Sequence, residues 1–129
     1  MLYAGICDLD HFKEINDTHG HQAGDAVLNE FVQVLGDNLR AYDRIGRYGG
    51  EEFLILTPLM GDNDPPELFE RLRRRIEDHP FAFEDRQIRL TISIGVAHLR
   101  PDEDADQFLG RADAALYRAK HEGRNRVVY

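Results

Sequence analysis

The run IRLTISIGVAHL limits the possible folds more than any other part of this chain, because Ile88, Leu90, Ile92, Ile94 and Val96 fall on every second residue. Period two is the repeat of a β-strand, and it predicts one strand over this stretch. Leu2 to Cys7 reads as a second, buried strand. DRIGRY and EFLILT are two short strand candidates joined through Gly49-Gly50, a pair that supplies the positive φ of a tight hairpin turn. RVVY closes the chain as a terminal strand. Between these runs the apolar period becomes helical. DLDHFKEINDTHG carries a short helix ending near Gly20, with Asn16, Asp17 and Gly20 as turn formers. In the long helix that follows, Val27, Phe31, Leu35 and Leu39 recur at i, i+4, with Leu28 and Val32 alongside. GDNDPPEL starts a third helix, with Asp64 as its cap and the prolines in its first turn; Leu68, Leu72 and Ile76 form its buried face. The last helix buries Ala105, Phe108, Leu109, Ala112, Ala115, Leu116 and Ala119 and stops at Gly123. The order β-α-α-β-β-α-β-α-β predicts an α+β two-layer sandwich, with helices on a central, mainly antiparallel five-stranded sheet.

At 129 residues the chain suffices for one domain with a real core, so residues 1–129 are read as a single unit. The net charge of −8 argues against a broad nucleic-acid surface, and any phosphate ligand must be met by a local device such as a metal ion. No apolar run approaches the roughly 20 residues of a membrane span, and no membrane contact is expected of this chain. The single Cys7 suits a reducing compartment, and the cytoplasm is the expected location. The first strand begins with neither linker nor cap before it, which suggests that something upstream is missing.

RYGGEEF, Arg47 to Phe53, sets two adjacent acids at the mouth of a strand. Asp8 stands at the end of the first strand, where an ionised carboxylate is costly unless something positive compensates it. A hairpin tip beside that strand end brings Glu51 and Glu52 towards Asp8 and Asp10. Such a cluster repels itself, but it is also the hard-oxygen environment that Mg²⁺ takes together with phosphates. The competing reading pairs one glutamate with Arg44 or Arg47 and turns the other to solvent. Two features favour the cation. The acid sits at the end of a buried strand, and a helix starts directly after it, offering N–H groups to an anion. Lys13 in that first turn opposes the helix dipole unless an anion binds there.

DLDHFKEINDTHGHQAGD, RYGGEEF, TISIGVA and ADAALYRAKHEGRNRV resemble, in this order and at compatible spacing, the GGDEF family of diguanylate cyclases. The resemblance covers nearly the whole chain and implies a fold similar to nucleotidyl cyclase and polymerase palm domains. It further implies Mg²⁺-dependent joining of two GTP molecules into cyclic di-GMP, with two metal ions per site and Mn²⁺ as a possible substitute. Asp8, the backbone carbonyl of Leu9, Glu51 and Glu52 then match metal ligands. Glu51 also matches the acceptor of the proton from the attacking 3′-hydroxyl, and Lys13 the residue that stabilises charge on the transferring phosphate. The amides around Phe12 cradle phosphates, Asn16, His21 and Asp25 match guanine contacts, and Lys120 and Arg124 match a basic pair at the terminal phosphates. Physics supports Asp25 directly, since a carboxylate accepts from both N–H groups of the guanine edge, which adenine lacks. Taken alone, however, Asp25 reads as a solvated first-turn residue and His21 as a turn or capping residue, while Lys120 and Arg124 fit as complements of the helix dipole.

RAYD, Arg40 to Asp43, lies five residues before the Gly-Gly pair, matching the family's RxxD inhibitory site for product cyclic di-GMP. By itself it is also a simple ion pair after a helix. RLRRR reads as a solvated helix face from which Arg71 offers a second side to that site. The resemblance implies a homodimer, because each subunit holds one GTP, and an upstream sensory or dimerising module, because the helix and Asp-x-Leu-Thr turn that open the family's domain are not in this sequence. The alternative is a silent module that binds cyclic di-GMP or GTP as a regulatory ligand.

Overall fold

The computed structural model describes residues 1–58 and 65–129. In chain order the elements are β1 (Leu2–Leu9), α1 (Phe12–His19), α2 (His21–Asp37), β2 (Arg44–Gly49), β3 (Glu52–Pro58), α3 (Pro65–Asp78), β4 (Phe81–Phe83), β5 (Arg86–Ile88), β6 (Ile92–His98), α4 (Ala105–His121) and β7 (Val127–Val128). Five strands form one sheet in the order β2-β3-β1-β6-β7. All of its pairings are antiparallel except β6 with β7. The α+β class and the mainly antiparallel five-stranded sheet are therefore as the sequence predicts. Pro65 opens α3 as expected, whereas Asp64, its expected cap, lies outside the described residues.

Helices cover both faces of this sheet, so the expected two layers become three. Alternation along β1 explains why. Ala4 and Ile6 join Ala97, Phe108, Ala112 and Leu116 in one cluster, with Leu54 and Leu56 of β3 against it. Cys7 and Leu9 belong to a larger cluster with Phe31, Phe53, Ile55, Phe69 and Leu72. A central strand apolar on both pleats must be covered twice. α4 supplies one cover, and α1, α2 and α3 supply the other. Two glycines let helices close onto the strands. A Cβ on Gly95 would stand 2.1 Å from the backbone nitrogen of Leu116, and one on Gly5 would stand 2.3 Å from the Phe69 ring.

The period-two run is not one strand. Ile88 ends β5 of a separate two-stranded hairpin, and β6 begins only at Ile92. All five apolar residues of the run are nonetheless buried, so the burial period continues across the three residues that separate the two strands. Along α2, Val27, Phe31 and Leu35 are buried while Val32 is exposed, which narrows the expected stripe. In α4 the first residue, Ala105, is exposed; the helix is started by a capping box between Asp104 and Gln107. At the β2-β3 turn only Gly50 takes a positive φ, 37°, while Gly49 remains in β2 beside a bulge.

Candidate functional site

The sheet register brings the acids together. Asp8 is the Cα partner of Glu52 on β3, and the backbone N–H of Leu9 donates to the carbonyl of Glu51 at 3.4 Å. Asp8 and Glu52 therefore continue the pleat of Ala4, Ile6, Leu54 and Leu56, which faces α4. On α4 the apolar residues Ala112 and Leu116 repeat every four positions, and the next position in that row is Lys120. Its ammonium reaches over the sheet end and pairs with Asp8 Oδ2. One buried acid, two acids at a hairpin and one lysine thus share the corner where β1 runs out.

Asp8 is 5% exposed, and its second oxygen, Oδ1, is buried with no hydrogen-bond partner. Burial raises its pKa above the ordinary carboxylate value; the Lys120 bond and charge work against this, and Glu51 and Asp10 add to the rise. Glu52 is raised as well, by burial first and then by the charges of Asp8, Asp113 and Glu51, with Lys120 opposing. Burial pulls the Lys120 ammonium down, but Asp8, Glu52 and Glu51 together hold it above its usual value. The corner carries more negative charge than one lysine neutralises. Its donors are hard oxygens, and an orphaned buried oxygen is the feature that a cation would satisfy. Among the described residues, no three such side chains are already gathered to hold an ion, and Lys120 is the cation that meets Asp8.

Next to this corner, α1 begins on His11, which is left-handed at φ 57° and provides no side-chain cap. Phe12 is buried in the core, while Lys13 is exposed in the first turn. A Cβ on Gly24 would lie 1.8 Å from Asn16 Oδ1, so the glycine leaves room for the Asn16 side chain between α1 and α2. His21 and Asp25 are exposed at the start of α2. At the far end of α4, Arg124 is exposed and left-handed at φ 62°, with a guanidinium bond to the Lys120 carbonyl at 3.4 Å.

The RAYD segment is a closed unit. Asp43 Oδ2 accepts from the Arg40 backbone N–H at 2.8 Å and from Arg40 Nε at 3.4 Å. Arg40 Nη2 also donates to Thr57 Oγ1 at 2.7 Å, and its guanidinium lies 4.4 Å from the Tyr42 ring centroid. Burial pushes the Asp43 carboxyl up, but bonds from Thr57 and Arg40 outweigh it and leave the pKa below the ordinary value. Arg71 on α3 donates to the carbonyl of Asn38, two residues before Arg40.

Sequence reasoning grouped Asp10 with the other acids, but the structure gives it different work. Its oxygens accept from Thr91 Oγ1, Ser93 Oγ and the Asn125 backbone N–H at 2.8, 2.7 and 3.0 Å. The partnership of Lys120 with Asp8 and the nearness of Asp113 to Glu52 were not anticipated either; no local spacing reveals contacts more than 60 residues apart.

The sequence pattern of the family described as "Diguanylate cyclase, GGDEF domain" matches residues 2–126. The chain belongs to this family. Among GGDEF relatives, diguanylate cyclase DgcZ of Escherichia coli K12 is 37% identical over 128 residues, which are 99% of this chain and 43% of DgcZ. The chain thus spans less than half the length of that relative. Among solved structures, diguanylate cyclase SiaD of Pseudomonas aeruginosa, crystallised with its activator SiaC, is 39% identical with a TM-score of 0.93, covering 98% of this chain and 49% of SiaD. The GGDEF domain of DgcB from Caulobacter crescentus, in complex with cyclic di-GMP, is 35% identical with a TM-score of 0.91 over 98% of this chain and 76% of that one. In the GGDEF fold of this chain, no described helix is long and apolar enough to cross a membrane.

Proposed function

We propose that this domain makes cyclic di-GMP from two GTP with release of pyrophosphate, as the catalytic part of a homodimer. The observation that carries this reading is the corner at the end of β1, where the buried, half-satisfied Asp8 meets Glu51, Glu52 and Lys120. Names of relatives and the DgcB complex with cyclic di-GMP support the same chemistry.

Asp8, the Leu9 carbonyl, Glu51 and Glu52 would hold the Mg²⁺ ions, which when bound polarise the α-phosphate and neutralise leaving pyrophosphate. The residues of the chain do the rest. Glu51 accepts the proton of the 3′-hydroxyl as its oxygen bonds to the α-phosphorus of the GTP on the facing subunit, and the bond to pyrophosphate breaks. A second such step closes the ring. Lys120 exchanges Asp8 for the terminal phosphates, beside Arg124. Lys13 and the uncapped amides at Phe12 meet phosphate oxygens, while Asn16, His21 and Asp25 select guanine over adenine.

Product returns to Arg40. Because the Asp43 side chain is fully buried, Asp43 acts by holding Arg40, and the exposed third of Arg40, with Arg71 nearby, is what cyclic di-GMP meets. In this reading the domain works in the cytoplasm, where GTP is available, and an upstream module would bring two copies together.

The test is turnover of GTP with Mg²⁺ by the chain dimerised through a fused coiled coil. Wild type forms cyclic di-GMP, and Glu51→Gln lowers the rate at least about 100-fold. No product from wild type, or undiminished product from the variant, contradicts the reading.

A further inference from the structure

Asp10 has no part in the chemistry above, yet it is 6% exposed and hydrogen-bonded on both oxygens. Two of its bonds come from β6 and the residue before it: Ser93 Oγ donates to Oδ1 at 2.7 Å and Thr91 Oγ1 to Oδ2 at 2.8 Å. Those two strengthen the end of a β1-β6 ladder that already runs from Tyr3 to Leu9. The third does something else. The backbone N–H of Asn125 donates to Oδ2 at 3.0 Å and fastens the turn that follows α4.

That turn holds three successive residues at positive φ: Gly123 at 126°, Arg124 at 62° and Asn125 at 46°. Only the first is a glycine. Two L-residues in a row stay left-handed only where their surroundings over-determine them. Here the surroundings do so. The Arg124 N–H donates to the Ala119 carbonyl at 2.9 Å, and Arg126 Nε donates to the Arg124 carbonyl at 3.1 Å. Asn125 Oδ1 accepts from Arg73 Nη1 at 2.9 Å, and Asn125 Nδ2 donates to Glu77, so α3 grips the side chain while Asp10 grips the backbone. The backbone of Arg124 is thus fixed from both sides, and its side chain remains exposed.

We propose that Asp10 is a positioning residue for the triphosphate: by holding the Asn125 N–H it fixes the left-handed Arg124-Asn125 turn and so directs Arg124, beside Lys120, at the terminal phosphates of bound GTP. This rests on the GTP reading of the preceding subsection. It differs from a strand clamp in one respect that can be measured. A clamp affects all ligands alike, whereas a turn that aims Arg124 affects only ligands with terminal phosphates.

Calorimetry with GTP and with GMP separates the two. Asp10→Ala, which leaves the Asn125 N–H without its acceptor, weakens GTP binding about tenfold and leaves GMP binding within about twofold. In an Arg124→Ala background the same substitution causes no further loss of GTP affinity. Replacing Thr91 by Val together with Ser93 by Ala removes the hydroxyl bonds, keeps the Asn125 bond, and preserves the ratio of GTP to GMP affinity. Should Asp10→Ala fail to fold, Asn125→Gly loosens the turn with Asp10 intact and reproduces its selective loss. Equal losses for GTP and GMP, additive losses with Arg124→Ala, the same selective loss in the hydroxyl variant, or unchanged GTP affinity in Asn125→Gly overturns the proposal. Wild type that binds no GTP overturns the functional reading and this inference together. Wild type that binds GTP no more tightly than Asp10→Ala overturns this inference alone.

Discussion

Asp8 and Asp43 are buried to nearly the same degree, at 5% and 7% exposure, and each lies against a basic side chain. Their protonation is nevertheless pushed in opposite directions, Asp8 up and Asp43 down. Burial is therefore not what separates them. Asp43 receives bonds from the Arg40 backbone, the Arg40 side chain and Thr57, and these together with the Arg40 charge are what lower it. Asp8 keeps one oxygen without a partner and faces Glu51, Glu52 and Asp10. A satisfied acid stabilises its loop; one that keeps an unpaired buried oxygen among like charges leaves a demand that a cation would meet.

The largest expected contrast is in stability. Asp43→Asn costs about 2 kcal/mol in denaturant unfolding, because it strips the charge from a buried acid that is hydrogen-bonded to the partly exposed Arg40. Asp8→Asn changes metal-free stability by no more than about 0.5 kcal/mol, since the charge it removes is disfavoured there. Equal losses from the two would erase the distinction.

The pH dependence sharpens it. Asp43 has a lowered folded pKa, so its contribution is present above the unfolded value of about 3.9 and is lost as pH falls through the folded value. Asp8 has a raised folded pKa, so its contribution is full below about 3.9 and is lost as pH rises through the folded value. Unfolding free energies in metal-free buffer from pH 3 to 7 should therefore lose a rising component in Asp43→Asn and a falling one in Asp8→Asn.

A smaller effect follows from the lysine. Lys120→Met removes the ammonium that competes for Asp8, so Mn²⁺ titrated into nucleotide-free protein and followed by electron paramagnetic resonance binds roughly tenfold more tightly. Weaker Mn²⁺ binding would make Lys120 a partner of the ion rather than its rival. Smallest of all, Tyr42→Ala removes the ring beside the Arg40 guanidinium at an exposed edge and costs about 0.5 kcal/mol.

Much of this was legible in the sequence where contacts are local or periodic. The helical stripes of α2 and α3, the hairpin at Gly50 and the acid at the end of β1 followed from patterns a few residues long. The break between Ile88 and Ile92 was hidden because buried residues keep alternating through it. The β4-β5 hairpin was missed because strands of three residues carry too little pattern to register. A third layer was hidden in the small residues Ala4, Gly95 and Ala112, which mark close helix approach only once the partner is known. At the candidate site, the four ordered motifs singled out acids and basic residues of which the structure brings Asp8, Glu51, Glu52 and Lys120 to one corner. Their pairings did not follow, because Lys120 meets Asp8, and Asn125 meets Asp10, across more than 100 residues of chain.

The central claim, that Asp8 is an acid kept unsatisfied for a cation, is tested most directly by following its carboxyl carbon by ¹³C NMR through a pH titration with and without Mg²⁺. The expected result is a metal-free pKa above the ordinary aspartate value and a clear downward displacement on adding Mg²⁺. An ordinary metal-free pKa that Mg²⁺ leaves unmoved would contradict it.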